Sequence, residues 1–275
     1  MEQSRPGYAT TGSAIDYSPM LRSLAERFSR NVVLRRRLPS DLGGRNIYVT
    51  PDSALRYWHW DLERVDPELL GIVRNFVPQN SVVWDVGANV GLFAFSSASR
   101  ARTVLAVEPD PWLSSLLARS AAEFGNVQVL TAAVGESPGL LELNIAQRGR
   151  SANFVGGFGT KQSGGPRFVQ TVIGVTLDWL AERFPLPDIL KIDVEGMEAR
   201  VLAGGQQLLR RSRPIIISEV LSQNVSSVTE QLAAAGYRFY DRKMNQLQRA
   251  NATTIAIAGD RLDSFHKDLA ASDET

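Results

Sequence analysis

Four acids in this chain stand where apolar runs end: Asp85 after Val82-Val83-Trp84, Glu108 after residues 103–107, Asp193 after Leu190-Lys191-Ile192, and Glu219 after Ile215-Ile216-Ile217-Ser218. The turn beyond Asp85 reads Gly87-Ala88-Asn89-Val90-Gly91 and leads into a helical pattern. The first N–H groups of a helix have no internal partner, and glycine lets another molecule approach the backbone. An acid one strand later can accept two hydrogen bonds from a ribose diol. The dinucleotide fold places such an acid ~20 residues past its glycines, and Glu108 lies 17 residues past Gly91. The dinucleotide pattern G-x-G-x-x-G itself fails, because Asn89 stands between Gly87 and Gly91. A carboxylate at Asp85 would repel a pyrophosphate but suits a cationic amino-acid group. S-adenosyl-L-methionine (SAM), which carries an ammonium and a sulfonium and no phosphate, matches this set. An ordinary βα turn in some other α/β enzyme is the alternative.

The second constellation is Leu190-Lys191-Ile192-Asp193-Val194-Glu195-Gly196-Met197-Glu198. Carboxylates at the rim of a cofactor cleft can orient a cation, bind a metal or accept a proton. A base beside an acceptor hydroxyl takes up its proton as the oxygen reacts, which helps by ~10²–10⁴-fold. Asp193, Glu219, Glu195 and His59 are the candidate bases, with Asp193 or Glu219 first because both follow core strands. His59 titrates near neutrality when unperturbed, but it stands among Tyr57, Trp58 and Trp60, where packing is the commoner fate. Core packing is also the expectation for those aromatics, over stacking on a sugar face. Glu198 opens a helix, where the dipole favours a carboxylate, and reads as structural. Asp193, Glu195 and Glu219 are hard oxygen donors of the kind Mg²⁺ takes. No His/Asp spacing demands a divalent metal, so none is expected.

These residues need a frame. Apolar runs at 82–86, 103–107, 127–130, 188–192 and 214–218 alternate with helical patterns at 91–99, 111–124, 176–184, 197–211 and 225–235. Such alternation predicts a parallel sheet with helices on both faces, whose ligands bind beyond the carboxyl ends of the strands. Segments 236–240 and 253–258 suit an antiparallel hairpin at the sheet edge. The expected organisation is a loose tail over 1–20, a helical and hairpin extension or cap over 21–78, the main α/β domain over 79–260 and a tail over 261–275. Residues 147–168, rich in glycine, read either as a flexible surface insertion or as a lid over substrate. Leu21, Leu24, Phe28 and Val32 recur at helical spacing with Arg22, Arg27 and Arg30 on other faces. This predicts a helix that packs on the core or caps the cleft; weak contact with an anionic membrane surface is the alternative.

Composition narrows the classes. With 275 residues, 44% hydrophobic and 21% charged, the chain can bury a sizeable core. A net charge of +1 gives no global field toward nucleic acid or membrane. The absence of cysteine excludes disulfides, thiol nucleophiles and Cys-based zinc sites. No run reaches the ~20 apolar residues of a membrane span, and a cytoplasmic location is the expectation. Asn224-Val225-Ser226 and Asn251-Ala252-Thr253 fit a glycosylation triplet that is often met by chance.

Trp84-Asp85-Val86-Gly87-Ala88-Asn89-Val90-Gly91, Val107-Glu108-Pro109, Thr176-Leu177-Asp178 and the 190–198 stretch together resemble the FkbM-type family of SAM-dependent methyltransferases. The first motif alone marks methyltransferases in general; its combination with Lys-Ile-Asp-Val-Glu-Gly is far more specific. The resemblance spans roughly residues 80–220. It implies the class I methyltransferase fold, a Rossmann-like seven-stranded sheet with one antiparallel strand. It assigns Asp85, Gly87, Ala88, Asn89 and Gly91 to the methionine end of SAM, Glu108 to the ribose hydroxyls, Ala133 to the adenine edge, and Asp193 to the neighbourhood of the methyl-bearing sulfur. The implied activity is O-methylation of a hydroxyl on a sugar, glycolipid or polyketide-type natural product. The alternatives are a nucleic-acid or protein methyltransferase, against which stands the lack of an Asn-Pro-Pro-Tyr-like motif after Asp193, and a non-catalytic SAM-binding protein. The expected partner is a small-molecule or saccharide acceptor, not nucleic acid.

Overall fold

The computed structural model describes residues 19–157 and 163–262; of the tails expected over 1–20 and 261–275, all but residues 19, 20, 261 and 262 lie outside the described residues. Helix α1 (Pro19–Phe28) opens the described chain, followed by a hairpin of β1 (Leu34–Arg37) and β2 (Asn46–Val49). Helix α1 does not pack as its spacing suggests: Leu21, Leu24 and Phe28 are exposed, Phe28 at 75%. It meets the rest of the chain at its end, where the Trp58 indole N–H donates to Ser29 Oγ at 3.0 Å. Helices α2 (Leu62–Val65) and α3 (Pro67–Phe76) then lead into the sheet. Asp66 caps α3 by accepting from Leu69 N, Pro67 supplies the preset first-turn φ, and Leu70, Val73 and Phe76 are buried.

The main sheet contains β3 (Val82–Val86), β4 (Thr103–Val107), β5 (Val127–Leu130), β10 (Ile189–Ile192), β11 (Ile215–Glu219), β12 (Tyr237–Tyr240), β13 (Gln246–Leu247) and β14 (Thr253–Ala258). Its order is β13-β12-β14-β11-β10-β3-β4-β5. All pairs from β5 to β11 are parallel; β14 lies antiparallel between β11 and β12. This is the class I methyltransferase fold, with the short β13 added at the edge. The strands are buried on both faces, as continuous apolar runs require. One face packs on α3 and α4 (Leu92–Ser97) through Val83, Ile189, Ile217, Phe76, Phe93 and Phe95. The other packs Trp84, Leu190, Ile192 and Ile216 against α7 (Glu198–Ala203), α8 (Gln206–Arg211) and α9 (Val225–Ala234). The single helical pattern read over 197–211 is therefore two helices, divided at Gly204-Gly205. Successive strands run outward from β3 to β5, then the chain returns to β10 on the other side of β3. That reversal opens a crevice beyond the tips of β3 and β10.

A second sheet sits beside the crevice. It has β6 (Ala133–Val134), β7 (Gly139–Ala146), β8 (Phe154–Val155) and β9 (Pro166–Val175) in the order β6-β9-β7-β8. Of the stretch 147–168, the described residues 147–157 and 163–168 are joined to this second sheet. They are the far end of the β7/β9 hairpin and the opening residues of β9. Thr176-Leu177-Asp178 does structural work after it: Thr176 caps α6 (Leu177–Ala181) through Trp179 N, and Asp178 accepts from Gln207 N and Leu208 N at the start of α8.

Candidate active site

A cleft of about 220 Å³ occupies the crevice. Gly87, Ala88, Asn89, Glu108, Ala133, Asp193, Glu195 and Glu219 all lie on its wall, while Asp85, Gly91 and His59 do not. At the turn after β3, both Gly87 N and Ala88 N donate to Val107 O, Asn89 N donates to Glu108 Oε2 at 2.8 Å, and Gly91 N donates to Ala88 O. These N–H groups are satisfied within the protein, so the turn offers no nest for a pyrophosphate. Gly87 is needed for a reason the sequence hides. At φ 81, a Cβ there would lie 1.8 Å from the carbonyl oxygen of Asp193. The glycine lets the β3 and β10 loops touch each other. Gly91, at φ 84, likewise leaves room for the Phe95 and Leu117 side chains rather than for a ligand.

Glu108 is buried, with Oε1 accepting from Asp110 N at 2.9 Å and Oε2 from Asn89 N. Each carboxylate oxygen has a second lone pair, so both can still accept from a vicinal diol. Burial pushes Glu108 up to about 8. At the other end of the cleft three acids gather. Glu195 is held at φ 50, and Glu219 stands exposed at the mouth. Burial, then the charges of Asp193, Glu219 and Glu198, push Glu195 up to about 8. The Asp193 carboxylate, then partial withdrawal from water, push Glu219 up to about 7. Asp193 Oδ2 is 3.3 Å from Lys191 Nζ. Glu198 is buried and ties Gly196 N and the Asn224 amide, so it shapes the loop. The Asn224 amide is thus engaged internally rather than presented as a glycosylation acceptor.

The structure departs from the expected site at Asp85 and in the cluster around His59. Asp85 was placed at an open strand tip facing a cationic ligand; it is instead fully buried, with Oδ1 at 3.2 Å from Lys191 Nζ. The register explains this: Asp85 on β3 pairs with Lys191 on β10, and neighbours in a parallel sheet share a face. His59 lies off the cleft, its Nδ1 accepting from Asp61 N at 3.1 Å and its ring stacked on Trp60. Of the aromatics, Tyr57 is buried on the cleft wall, while Trp58 and Trp60 are exposed, at 47% and 76%, and do not pack into the core.

Sequence reasoning missed Arg150. Its guanidinium is buried, donating to Asp52 Oδ2 at 2.9 Å and Asp110 Oδ2 at 2.5 Å, and lies over the Trp112 ring. Asn153 donates to the same Asp110 oxygen, and Arg167 pairs with Asp52 at 2.8 Å. Asp110 is also the cap of α5 (Pro111–Ala121). Residues 150–155 are thereby pinned across the Glu108 end of the cleft, with Arg150, Ser151, Asn153 and Val155 on its wall. The available signal was the pair of arginines, Arg150 and Arg167, inside a segment otherwise composed like a loop. Among the described residues, no group of three or more His, Asp and Glu side chains is arranged to hold a metal ion.

The family model described as the methyltransferase FkbM domain matches residues 85–239, more than half of the chain. The chain belongs to the FkbM methyltransferase family. It is a SAM-dependent methyltransferase. The hexuronic acid methyltransferase AglP of Haloferax volcanii is 25% identical over 214 residues, covering 78% of this chain and 87% of that protein. Among solved structures, the FkbM methyltransferase of Methylobacillus flagellatus aligns with a TM-score of 0.42 at 14% identity over 65% of this chain and 43% of its own. TYW2 of M. jannaschii in complex with AdoMet aligns at 0.41 and 14% identity, over 78% and 80%. The cleft's chemistry is compatible with SAM: Glu108 oxygens with lone pairs left over, the carboxylates of Asp193, Glu195 and Glu219 on the wall, and a turn with no phosphate nest. Among the described residues, no helix is long and apolar enough to cross a membrane.

Proposed function

We propose that this methyltransferase transfers a methyl group to a hydroxyl of a saccharide-bearing acceptor, a sugar, glycolipid or glycosylated natural product. The observation that carries the reading is the carboxylate trio Asp193, Glu195 and Glu219 at the open mouth, at the end of the cleft away from Glu108. The related hexuronic acid methyltransferase supports a sugar-type acceptor. Glu108 would hold the ribose, and Ala133 with residues 150–155 would enclose the adenine end. When bound, SAM supplies a methyl on a sulfonium, already a good leaving group.

The protein's own task is to align the acceptor oxygen and receive its proton. Asp193 and Glu219 form the receiving pair. A base works best with a proton affinity near the operating pH, and Glu219, at about 7, meets that condition. One carboxylate is neutralised as the sulfonium charge is lost, so the net charge inside the cleft is conserved. Arg56, paired with Asp66 at 3.1 Å on the cleft wall, can meet an anionic group of the acceptor. The test is a panel of glycosides, uronates, glycolipids and RNA incubated with labelled SAM and purified protein. Label transferred to a saccharide hydroxyl supports the reading; transfer only to RNA, or none to any saccharide, removes it.

A further inference from the structure

Lys191 is one of only four lysines in a chain with 30 basic residues. It is buried, on the cleft wall, and its ammonium lies 3.2 Å from Asp85 Oδ1 and 3.3 Å from Asp193 Oδ2. Asp85 is fully buried and Oδ2 makes no hydrogen bond. Such a carboxylate is costly without a partner charge, yet it touches nothing in the cleft. Burial pushes the Asp85 carboxyl up, and the Lys191 ammonium beside it is the first influence that opposes this, so the two are charge partners.

We propose that Lys191, braced from behind by Asp85, is the positioning residue that aims Asp193 at the reacting centre, and that through Asp193 it tunes the Asp193/Glu219 pair. The inference rests on the methyltransferase reading of this cleft but not on the identity of the acceptor. The geometry is directional. The ammonium bridges two carboxylates on adjacent strands, so Asp193 cannot swing away without leaving Lys191 half-paired in a buried place. The Phe93 ring, 5.8 Å from Nζ, closes one side. Burial works against the lysine charge, but Asp85, Asp193 and Glu219 outweigh it and hold its pKa above the ordinary value. Lys191 is therefore a permanent cation and not the base. The charged and titratable groups around it are Asp85 from β3, Asp193 and Glu195 from the loop after β10, Glu219 from β11, Arg56 and Tyr57 from the turn at Leu55–Trp58, and Asp66 at the start of α3. The proton lost by the acceptor O–H goes to a carboxylate of the Asp193/Glu219 pair while the oxygen lone pair forms the new O–CH₃ bond and the S–CH₃ bond breaks, leaving a neutral thioether.

The first measurement needs no acceptor: NMR titration of the lysine side chains in the full chain. The Lys191 ammonium should stay protonated well above pH ~10.4, the ordinary lysine value, and Asp85→Asn should move its titration down by at least one unit. A Lys191 signal that titrates with the exposed lysines, or is unmoved by Asp85→Asn, overturns the proposal. The second is the pH profile of methyl transfer to whichever panel glycoside is turned over. Lys191→Met should move the acidic limb of kcat up by at least one pH unit while SAM affinity changes less than threefold, and Lys191→Arg should restore most of the limb. An unmoved limb, or equal loss of kcat and SAM affinity, overturns it. If Lys191→Met does not fold, Lys191→Arg and the titration of the parent decide the matter. Failure of every panel acceptor would sink the saccharide reading while leaving the titration result standing.

Discussion

Replacing Glu108 by Gln is the sharpest probe of the cofactor end. Its carboxylate accepts from Asn89 N at 2.8 Å and Asp110 N at 2.9 Å, which leaves one lone pair per oxygen for the two ribose hydroxyls. Hydrogen bonds to a charged group contribute about 1.5–3 kcal/mol each. In Gln one oxygen becomes an amide nitrogen, which cannot accept and points its own hydrogens at a backbone N–H. One ribose bond is lost and the other falls to neutral strength. The expected loss is about 2–3 kcal/mol, or about 30–150-fold in SAM affinity. S-adenosylhomocysteine shares the ribose but lacks the sulfonium, so calorimetry should return the same loss for both ligands. The parent should show a second signature. Burial holds Glu108 at about 8 in the free protein, and the diol is best accepted by the ionised form. Below pH 8 binding should therefore release protons, on the order of one from this group, and affinity should fall as the pH drops. Repeating the titration in buffers of different ionisation enthalpy measures that release, and Glu108→Gln should abolish this share. Affinities within threefold of the parent for both ligands, in a folded variant, would refute the assignment of Glu108 to the ribose.

Three further outcomes are expected. Asp193→Asn should lower kcat by roughly 10²-fold or more while SAM affinity measured by calorimetry falls far less; equal losses would make Asp193 only a cofactor contact. Arg150→Met strands the buried Asp110 and removes one of two cations from Asp52. Breaking such a pair costs about 3 kcal/mol, so calorimetric Tm should fall by roughly 6–9 °C and SAM should bind more weakly; an unchanged Tm would mean that the strap is not held by this arginine. Glu108 and Glu195 have folded pKa values of about 8, raised above those of the unfolded chain. Their contribution to stability is complete below pH ~4.5 and is lost as pH rises through about 8. Thermal scans of ligand-free protein should show Tm declining across that window, and a rise would contradict both assignments.

The order of strands and helices along the main sheet was legible because each buried parallel strand is a short apolar run and each helix repeats near 3.6. Residues 82–86, 103–107 and 253–258 fall where the runs predict them. The β7/β9 hairpin was not read, although Leu141, Leu143 and Ile145 alternate with Leu140, Glu142 and Asn144. Leu140, Phe168 and Ile173 are apolar yet exposed, which blurs the period of two, and the glycines at the hairpin end suggest a loop. Helix α1 misled in the other direction, since an apolar stripe shows what a helix can bury, not whether a partner is there.

The chain alone determined which residue types stand after which strands, because strand ends and turns are local events written in apolar runs, acids and glycines. It therefore specified Asp85, Glu108, Asp193 and Glu219 at strand tips, with Glu195 in the turn after Asp193. Only the tertiary structure decided which acids face the cleft. Asp85 and Asp193 look alike in sequence, each an acid closing an apolar strand. The pairing of β3 with β10 sets Lys191 beside Asp85 and turns one carboxylate into buried counter-charge while leaving the other at the rim. Register between strands 106 residues apart is a long-range property, fixed by packing and charge pairing across the sheet, and no local pattern encodes it.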